Sequence, residues 1–155
     1  MSRRTLHSDE DAERRPSPSV RVLVVDDDEP WRRWVYSELG KLQQLRVVGE
    51  ASDGLEAVRK AHELKPDLIL LDINLPNING IEATRRISHS VPNTEIILLT
   101  NEERPDVVRL ALSNGAKGYV LKGATKTELL PAIAAVLRRE RFVSRLLPIE
   151  PDDYD

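Results

Sequence analysis

Asp72 stands at the end of an unbroken apolar run, Leu68-Ile69-Leu70-Leu71, and begins the segment Asp72-Ile73-Asn74-Leu75-Pro76-Asn77-Ile78-Asn79-Gly80. A carboxylate in that position is held by a buried strand while the Pro- and Gly-containing loop after it faces solvent. A second acidic group, Asp26-Asp27-Asp28, ends another apolar run, Val20 to Val25. Two strands that both end in carboxylates suggest a divalent cation between them, or one carboxylate serving as nucleophile or acceptor. Thr100 and Lys122 end two further apolar runs. The Thr100 hydroxyl can donate to a phosphoryl oxygen, and the Lys122 ammonium is a compact charge suited to a phosphate or carboxylate. Asp27 and Asp72 can offer hard oxygens to Mg2+, with Asp26 acting directly or through water and the Asn74 backbone carbonyl adding another oxygen. Bound there, Mg2+ would screen crowded carboxylates from an incoming phosphate and stabilise the charge developed in phosphoryl transfer.

These residues need a scaffold that brings strand ends together. Strand-like runs cover Val20–Val25, Leu45–Gly49, Leu68–Leu71, Ile96–Thr100 and Tyr119–Leu121. Helical patterns alternate with them at Trp31–Leu42, Leu55–Leu64, Ile81–Ser88, Asp106–Asn114 and Thr127–Arg138. Ser52-Asp53-Gly54 can cap the second helix, Gly115 can follow the fourth as its C′ residue, and Thr127 can cap the fifth. Pro131 falls in the first turns of the fifth helix, where a missing N–H is best tolerated. Alternating elements with near-continuous apolar strands predict an α/β fold, (βα)5, with a doubly wound five-stranded parallel sheet in the flavodoxin-like order 2-1-3-4-5. Such sheets bind ligands at the carboxyl ends of the strands, at the switch in strand order, where the Asp26 group and Asp72 would meet.

Taken one at a time, the residues have plainer readings. Asp26 to Asp28 can cap the first helix, Asp72 can be a loop carboxylate, Thr100 a strand residue and Lys122 a solvated cation. Their recurrence at successive strand ends favours one shared site. Trp31 and Trp34 lie in helical register with Val35 and Leu39, which suits core packing, and Trp31 is close enough in sequence to the acidic group to report on it by fluorescence.

The composition fits a globular protein. The chain has 155 residues, 40% hydrophobic residues, a net charge of −3 and no Cys, which excludes disulfides and thiolate metal sites. No dominant basic field points to nucleic acid. No apolar stretch is long enough for a membrane span, and Arg3-Arg4 has no apolar segment after it, so a cytoplasmic protein is expected. One domain is expected over residues 20–147, with a charged N-terminal tail at 1–19 and an acidic tail at 148–155.

From Val20 to Leu146 the chain resembles the receiver domain of bacterial two-component response regulators. The resemblance rests on Val22-Leu23-Val24-Val25-Asp26-Asp27-Asp28, Leu70-Leu71-Asp72-Ile73-Asn74-Leu75-Pro76, Asn79-Gly80-Ile81-Glu82, Ile96-Ile97-Leu98-Leu99-Thr100 and Gly115-Ala116-Lys117-Gly118-Tyr119-Val120-Leu121-Lys122. Glu50-Ala51-Ser52-Asp53-Gly54 is most similar to NarL/FixJ-type receivers. The resemblance implies that Asp72 accepts a phosphoryl group from a sensor histidine kinase or phosphotransfer protein, and that Asp26, Asp27, Asp72 and Asn74 hold Mg2+. It implies that Thr100 and Lys122 contact the phosphoryl group, and that Tyr119 is an aromatic switch that turns inward as Thr100 moves. In the family, the positions two beyond the acceptor and two beyond the threonine tune phosphate lifetime. Here they are Asn74 and Glu102, a polar pair that predicts fast self-dephosphorylation.

The chain departs from the NarL/FixJ pattern in leaving no room after the fifth helix for a helix-turn-helix domain, so direct DNA binding is not expected of it. It also has Gly123 where many receivers have Pro. The expected role is a stand-alone phosphoacceptor signalling domain, not an enzyme apart from self-phosphorylation and self-dephosphorylation. Output to a downstream protein partner would use the surface of the fourth helix, fifth strand and fifth helix, including Arg109, Tyr119 and Lys126, and a homodimer through this surface or the first and fifth helices is the alternative. A degenerate, phosphate-independent scaffold would lack part of the site, and every group is present. An aspartyl-phosphate phosphatase of the haloacid dehalogenase type needs a motif that Asp26-Asp27-Asp28-Glu29-Pro30 does not supply. A flavodoxin-like cofactor binder would have to bring its phosphate against Asp26 to Asp28 without metal.

Overall fold

Side chains on both faces of Val22–Val25, Leu68–Leu71 and Ile96–Leu99 are apolar, which only a sheet covered on both sides can bury. The computed structural model, which describes residues 19–149, has that arrangement. Its strands are β1 (Val20–Val25), β2 (Leu45–Ala51), β3 (Leu68–Leu71), β4 (Glu95–Thr100), β5 (Gly118–Leu121) and β6 (Phe142–Val143). They form one parallel sheet in the order β2-β1-β3-β4-β5-β6. The helices are α1 (Glu29–Leu39), α2 (Gly54–Leu64), α3 (Gly80–Ser90), α4 (Pro105–Ser113) and α5 (Thr125–Leu137), the last entered through a 3-10 turn at Lys122–Ala124.

Successive strand side chains point to opposite faces, so each strand serves two cores. Val22, Val24, Leu68, Leu70, Ile97 and Leu99 pack with Val35 and Leu39 of α1 and with Leu129, Ile133 and Val136 of α5. Leu23, Val25, Ile69, Leu71 and Leu98 pack on the opposite face with Ala57, Ala61, Ala83, Ile87, Val108 and Ala111 from α2, α3 and α4. Each fully buried Leu or Ile contributes roughly 1.5–3 kcal/mol relative to exposure, so the strand ends are set by two cores at once.

Local chemistry fixes the helix starts. Asp53 caps α2 by accepting from the Glu56 N–H at 2.8 Å, and the Glu56 carboxylate accepts from the Ser52 N–H at 2.8 Å. Asn79 caps α3 through the Glu82 N–H at 2.9 Å. Gly115, at φ +119°, follows α4 in the backbone region that glycine adopts freely. At α1, Asp28 takes the cap position without a side-chain bond, and its own N–H donates to the Asp26 carboxylate at 2.9 Å.

Two expectations need correction. Thr127 does not cap α5: the 3-10 turn delivers the chain into the helix at Thr125, and the Thr127 hydroxyl donates to the Ala124 carbonyl inside the first turn. Pro131 therefore lies in the helix interior, at an exposed position. The sheet also gains a sixth strand. β6 pairs with β5 through the Phe142 N–H to Lys117 O (3.0 Å) and the Ser144 N–H to Tyr119 O (2.8 Å), and a two-residue strand carries no sequence period that could announce it. The expected tails lie outside the described residues except for Ser19, Pro148 and Ile149, and Ile149 packs against the core.

Candidate functional site

Val25 and Leu71 are opposite one another in the β1–β3 ladder, so the next residues, Asp26 and Asp72, leave the sheet side by side. Thr100 pairs with Leu121 across β4 and β5, which brings Lys122 to the same edge. Both carboxylates are buried, Asp26 to 1% and Asp72 to 6% exposure. The Lys122 ammonium lies between them, 2.8 Å from Asp26 Oδ2 and 3.1 Å from Asp72 Oδ2. A buried ion set of this kind has one more negative than positive charge.

That imbalance is visible in the titration of the pocket. Burial pushes the Asp26 carboxyl above the usual carboxylate range. The Lys122 ammonium and the Asp28 N–H pull it back, and Asp72 pushes it up again. Burial also opposes the charged form of Lys122, but its hydrogen bonds and attraction to the two carboxylates outweigh this and raise its pKa, so it stays an ammonium. Asp26 Oδ2 is fully buried with no well-directed hydrogen bond, and its compensation is the charge of Lys122.

The donors available to a cation are hard oxygens: Asp26, Asp72, the exposed Asp27 at the rim and the backbone carbonyl of exposed Asn74. Among the described residues no three acidic or histidine side chains are gathered into a cage of their own, since Asp27 sits at the exposed rim and Asn74 would contribute backbone. The under-compensated Asp26 oxygen and the all-oxygen donor set nevertheless fit a hard divalent cation.

The loop carrying Asp72 is fastened by backbone. The Gly80 N–H donates to Ile73 O at 2.7 Å, the Gly54 N–H to Pro76 O at 3.2 Å and the Asn74 N–H to Asp72 Oδ1 at 3.3 Å. Glycine is needed at both helix starts. A Cβ on Gly80 would lie 2.1 Å from the Asp72 carbonyl oxygen, and one on Gly54 would lie 2.1 Å from that of Ile78.

Thr100 is fully buried, and its Oγ1 accepts the Glu102 N–H at 3.3 Å. Tyr119 is also fully buried, its hydroxyl donating to the Glu102 carbonyl at 2.8 Å. Burial raises the Tyr119 pKa far above that of a free phenol, with the Glu102 and Asp72 charges adding to the effect, so it remains a neutral donor. The Glu102 side chain turns instead to Arg104, whose guanidinium holds the carboxyl down at about 2.

Asp26, Asp72 and Lys122 are thus in direct contact, Thr100 stands beside them, and Asp27 and Asn74 line the rim. Arg109 and Lys126 are exposed as expected of a surface, whereas the Tyr119 side chain is inside and forms no part of that surface. Two further residues border the pocket, Arg32, which was not anticipated, and Trp31, which was expected near the acidic group. Arg32 donates to the Asp26 carbonyl at 2.6 Å while pairing with Glu50 at 3.1 Å. Trp31, stacked on Trp34, lies 5.0 Å from the Lys122 Nζ, a cation–π contact. Arg32 gave no signal, since one of two adjacent arginines on an amphipathic helix has no distinguishing spacing. Trp31 had one in its closeness to the acidic run.

Residues 22–134 match the family model of the response regulator receiver domain. The chain is 43% identical over 126 residues to the response regulator GacA of Pseudomonas viridiflava, which covers 81% of this chain and 58% of that protein. Among solved structures, it superposes with a TM-score of 0.77 and 32% identity on a LuxR-family two-component response regulator from Aurantimonas sp. SI85-9A1, covering 87% of this chain and 92% of that one. The receiver domain of the NarL regulator from Mycobacterium tuberculosis gives a TM-score of 0.74 at 32% identity, covering 78% of this chain and 98% of that one. The chain therefore spans little more than half the length of the GacA relative.

Proposed function

This chain belongs to the response regulator receiver domain family, and we propose that it accepts a phosphoryl group on Asp72 from a histidine kinase or phosphotransfer protein and passes the change to a protein partner in the cytoplasm. An Asp72 carboxylate oxygen forms the new bond to phosphorus as the bond from phosphorus to the donor's histidine nitrogen breaks, and the electron pair returns to the imidazole. The supporting observation is Lys122 bridging Asp26 and Asp72 in a buried pocket. Its ammonium sits where it can exchange a carboxylate oxygen for a phosphoryl oxygen. The fastened loop keeps Asp72 in one place for in-line attack.

Asp26, Asp27, Asp72 and the Asn74 carbonyl would hold Mg2+, which when bound supplies charge neutralisation at the phosphoryl oxygens. The Thr100 hydroxyl accepts from the Glu102 N–H and still has its own proton to donate, and Tyr119 is linked to the same residue through the Glu102 carbonyl. Movement of Thr100 toward the phosphoryl group thus pulls on the segment that holds Tyr119. The exposed face of α4 and α5, with Arg109 and Lys126, is then available for output. The polar Asn74 and Glu102 beside the site support prompt self-dephosphorylation.

Intact-mass spectrometry after incubation with a small phosphodonor and Mg2+ tests the reading. One phosphoryl mass is expected on the wild type and none on Asp72→Asn or without Mg2+. An unlabelled wild type, under conditions that label another receiver, would leave a phosphate-independent scaffold as the better account.

A further inference from the structure

Beyond α5 the chain folds back along the outer edge of β5. The Phe142 and Ser144 N–H groups pair with the Lys117 and Tyr119 carbonyls, covering an edge that would otherwise present unpaired backbone. Ser144 is anchored a second time: its hydroxyl donates to Glu128 Oε1 at 2.6 Å, and the Arg145 N–H donates to Glu128 Oε2 at 3.0 Å. Glu128 is a buried carboxylate on α5, so this segment satisfies a charge the helix alone leaves unpartnered. Leu147, 7% exposed, then joins the same apolar core as Tyr119 and Val108, and Ile149 packs against it.

A continuous chain of hydrogen bonds joins this strap to the phosphoacceptor pocket. Thr100 Oγ1 accepts from the Glu102 N–H (3.3 Å), the Glu102 carbonyl accepts from the Tyr119 hydroxyl (2.8 Å), and the Tyr119 carbonyl accepts from the Ser144 N–H (2.8 Å). We propose that residues 142–149 are an autoinhibitory strap that holds the β5 edge closed, and that loading of the Asp72 site releases it through Thr100, Glu102 and Tyr119. The inference rests on Asp72 being the acceptor.

The test is amide hydrogen exchange of the full chain with and without beryllium fluoride and Mg2+, the tetrahedral fluoride standing in for a phosphoryl group on a carboxylate. Loading is read as slowed exchange in residues 72–80. Release is read as exchange about tenfold faster or more at 140–149, within the usual range of coupling between sites. A change at 72–80 with 140–149 unmoved refutes the strap relay alone, whereas no change at 72–80 refutes the acceptor reading and the relay together. Ser144→Ala provides the reciprocal arm. Loosening the strap should lower the beryllium fluoride concentration needed for half-loading by about fivefold or more, read from Trp31 fluorescence, because coupling acts equally in both directions. An unshifted midpoint in a variant whose 140–149 amides already exchange faster would overturn the proposal.

Discussion

Replacing Gly80 with Ala tests how the acceptor is held, because two physical effects predict opposite signs. Gly80 opens α3 with ordinary helical backbone, and at an unhindered site of that kind Gly→Ala stabilises by about 0.4–1 kcal/mol through the unfolded chain. Here the new Cβ would stand 2.1 Å from the Asp72 carbonyl oxygen and 2.8 Å from both the Asp72 carbonyl carbon and the Ile73 Cα. A close carbon–oxygen contact needs about 3.3 Å, so the backbone on which Asp72 sits must retreat by roughly 1.2 Å. All three obstacles are main-chain atoms, so no side-chain rotamer relieves them, and the Gly80 N–H to Ile73 O bond must stretch with the shift. Overpacking of this sort costs about 1–3 kcal/mol. Urea denaturation should show Gly80→Ala less stable by about that amount, and phosphoryl uptake by Asp72 should slow by about a hundredfold, as a displacement near 1 Å predicts. Gly123→Ala is the control, since a Cβ there meets nothing within 4 Å; it should be neutral or slightly stabilising. A Gly80→Ala protein as stable as the control, with uptake unchanged, would show that the Asp72 backbone is not pinned by this contact.

Two charge substitutions read the pocket itself. Burial raises the folded pKa of Asp26, so the folded state is favoured by its protonated form; that contribution is complete below the unfolded value near 3.8 and is lost as pH rises through the folded value. Asp26→Asn should therefore stabilise the protein at pH 7 by an amount on the order of 1 kcal/mol, a gain that fades as pH falls through the raised folded value and is gone below 3.8, and it should weaken Mg2+ binding in a fluorescence titration. Equal stability at pH 7 would mean that Lys122 fully compensates both carboxylates. Lys122→Met removes the ammonium from between two buried carboxylates and should destabilise by about 3 kcal/mol, with millimolar Mg2+ recovering part of the loss because it binds only the folded form. Thermal melts with and without Mg2+ decide this, and a melt insensitive to the ion would place cation binding elsewhere.

How much of this was legible in the sequence depended on the range over which the signal acts. The unbroken apolar run at Leu68–Leu71 and the carboxylate after it are local, and they were enough to predict a central parallel strand and to place Asp72 at its carboxyl end. The pairing of Asp26 with Asp72 followed from strand order alone. What could not be read was set through space. Phe142–Val143 is a strand only because β5 offers an open edge and Glu128 an unmatched carboxylate. Gly80 reads as a turn residue, but its missing Cβ answers to the Asp72 carbonyl eight positions earlier in the chain. Tyr119 was expected on an output surface, and the Glu102 carbonyl draws its hydroxyl inward instead.

The charge count of the pocket explains why its parts belong together. Asp26, Asp72 and Lys122 leave one uncompensated negative charge in a buried site, a cost that a purely structural ion cluster would shed by losing a carboxylate. A phosphoryl group on Asp72 would replace one carboxylate charge with about −1.5 to −2, deepening the deficit to nearly two negative charges. Lys122 cannot balance that alone, and its distances to Asp26 and Asp72 show it already shared. A divalent cation can, provided hard oxygen donors reach it, as Asp26 inside the pocket and Asp27 and the Asn74 carbonyl at its exposed rim would under the proposed function. The unloaded site thus carries a deficit that one divalent cation satisfies best in the loaded state, so the ion and the phosphoryl group should each favour the binding of the other. Mg2+ affinity measured with and without beryllium fluoride would show this as a tighter constant in the loaded protein, and equal constants would mean that the deficit is met by solvent.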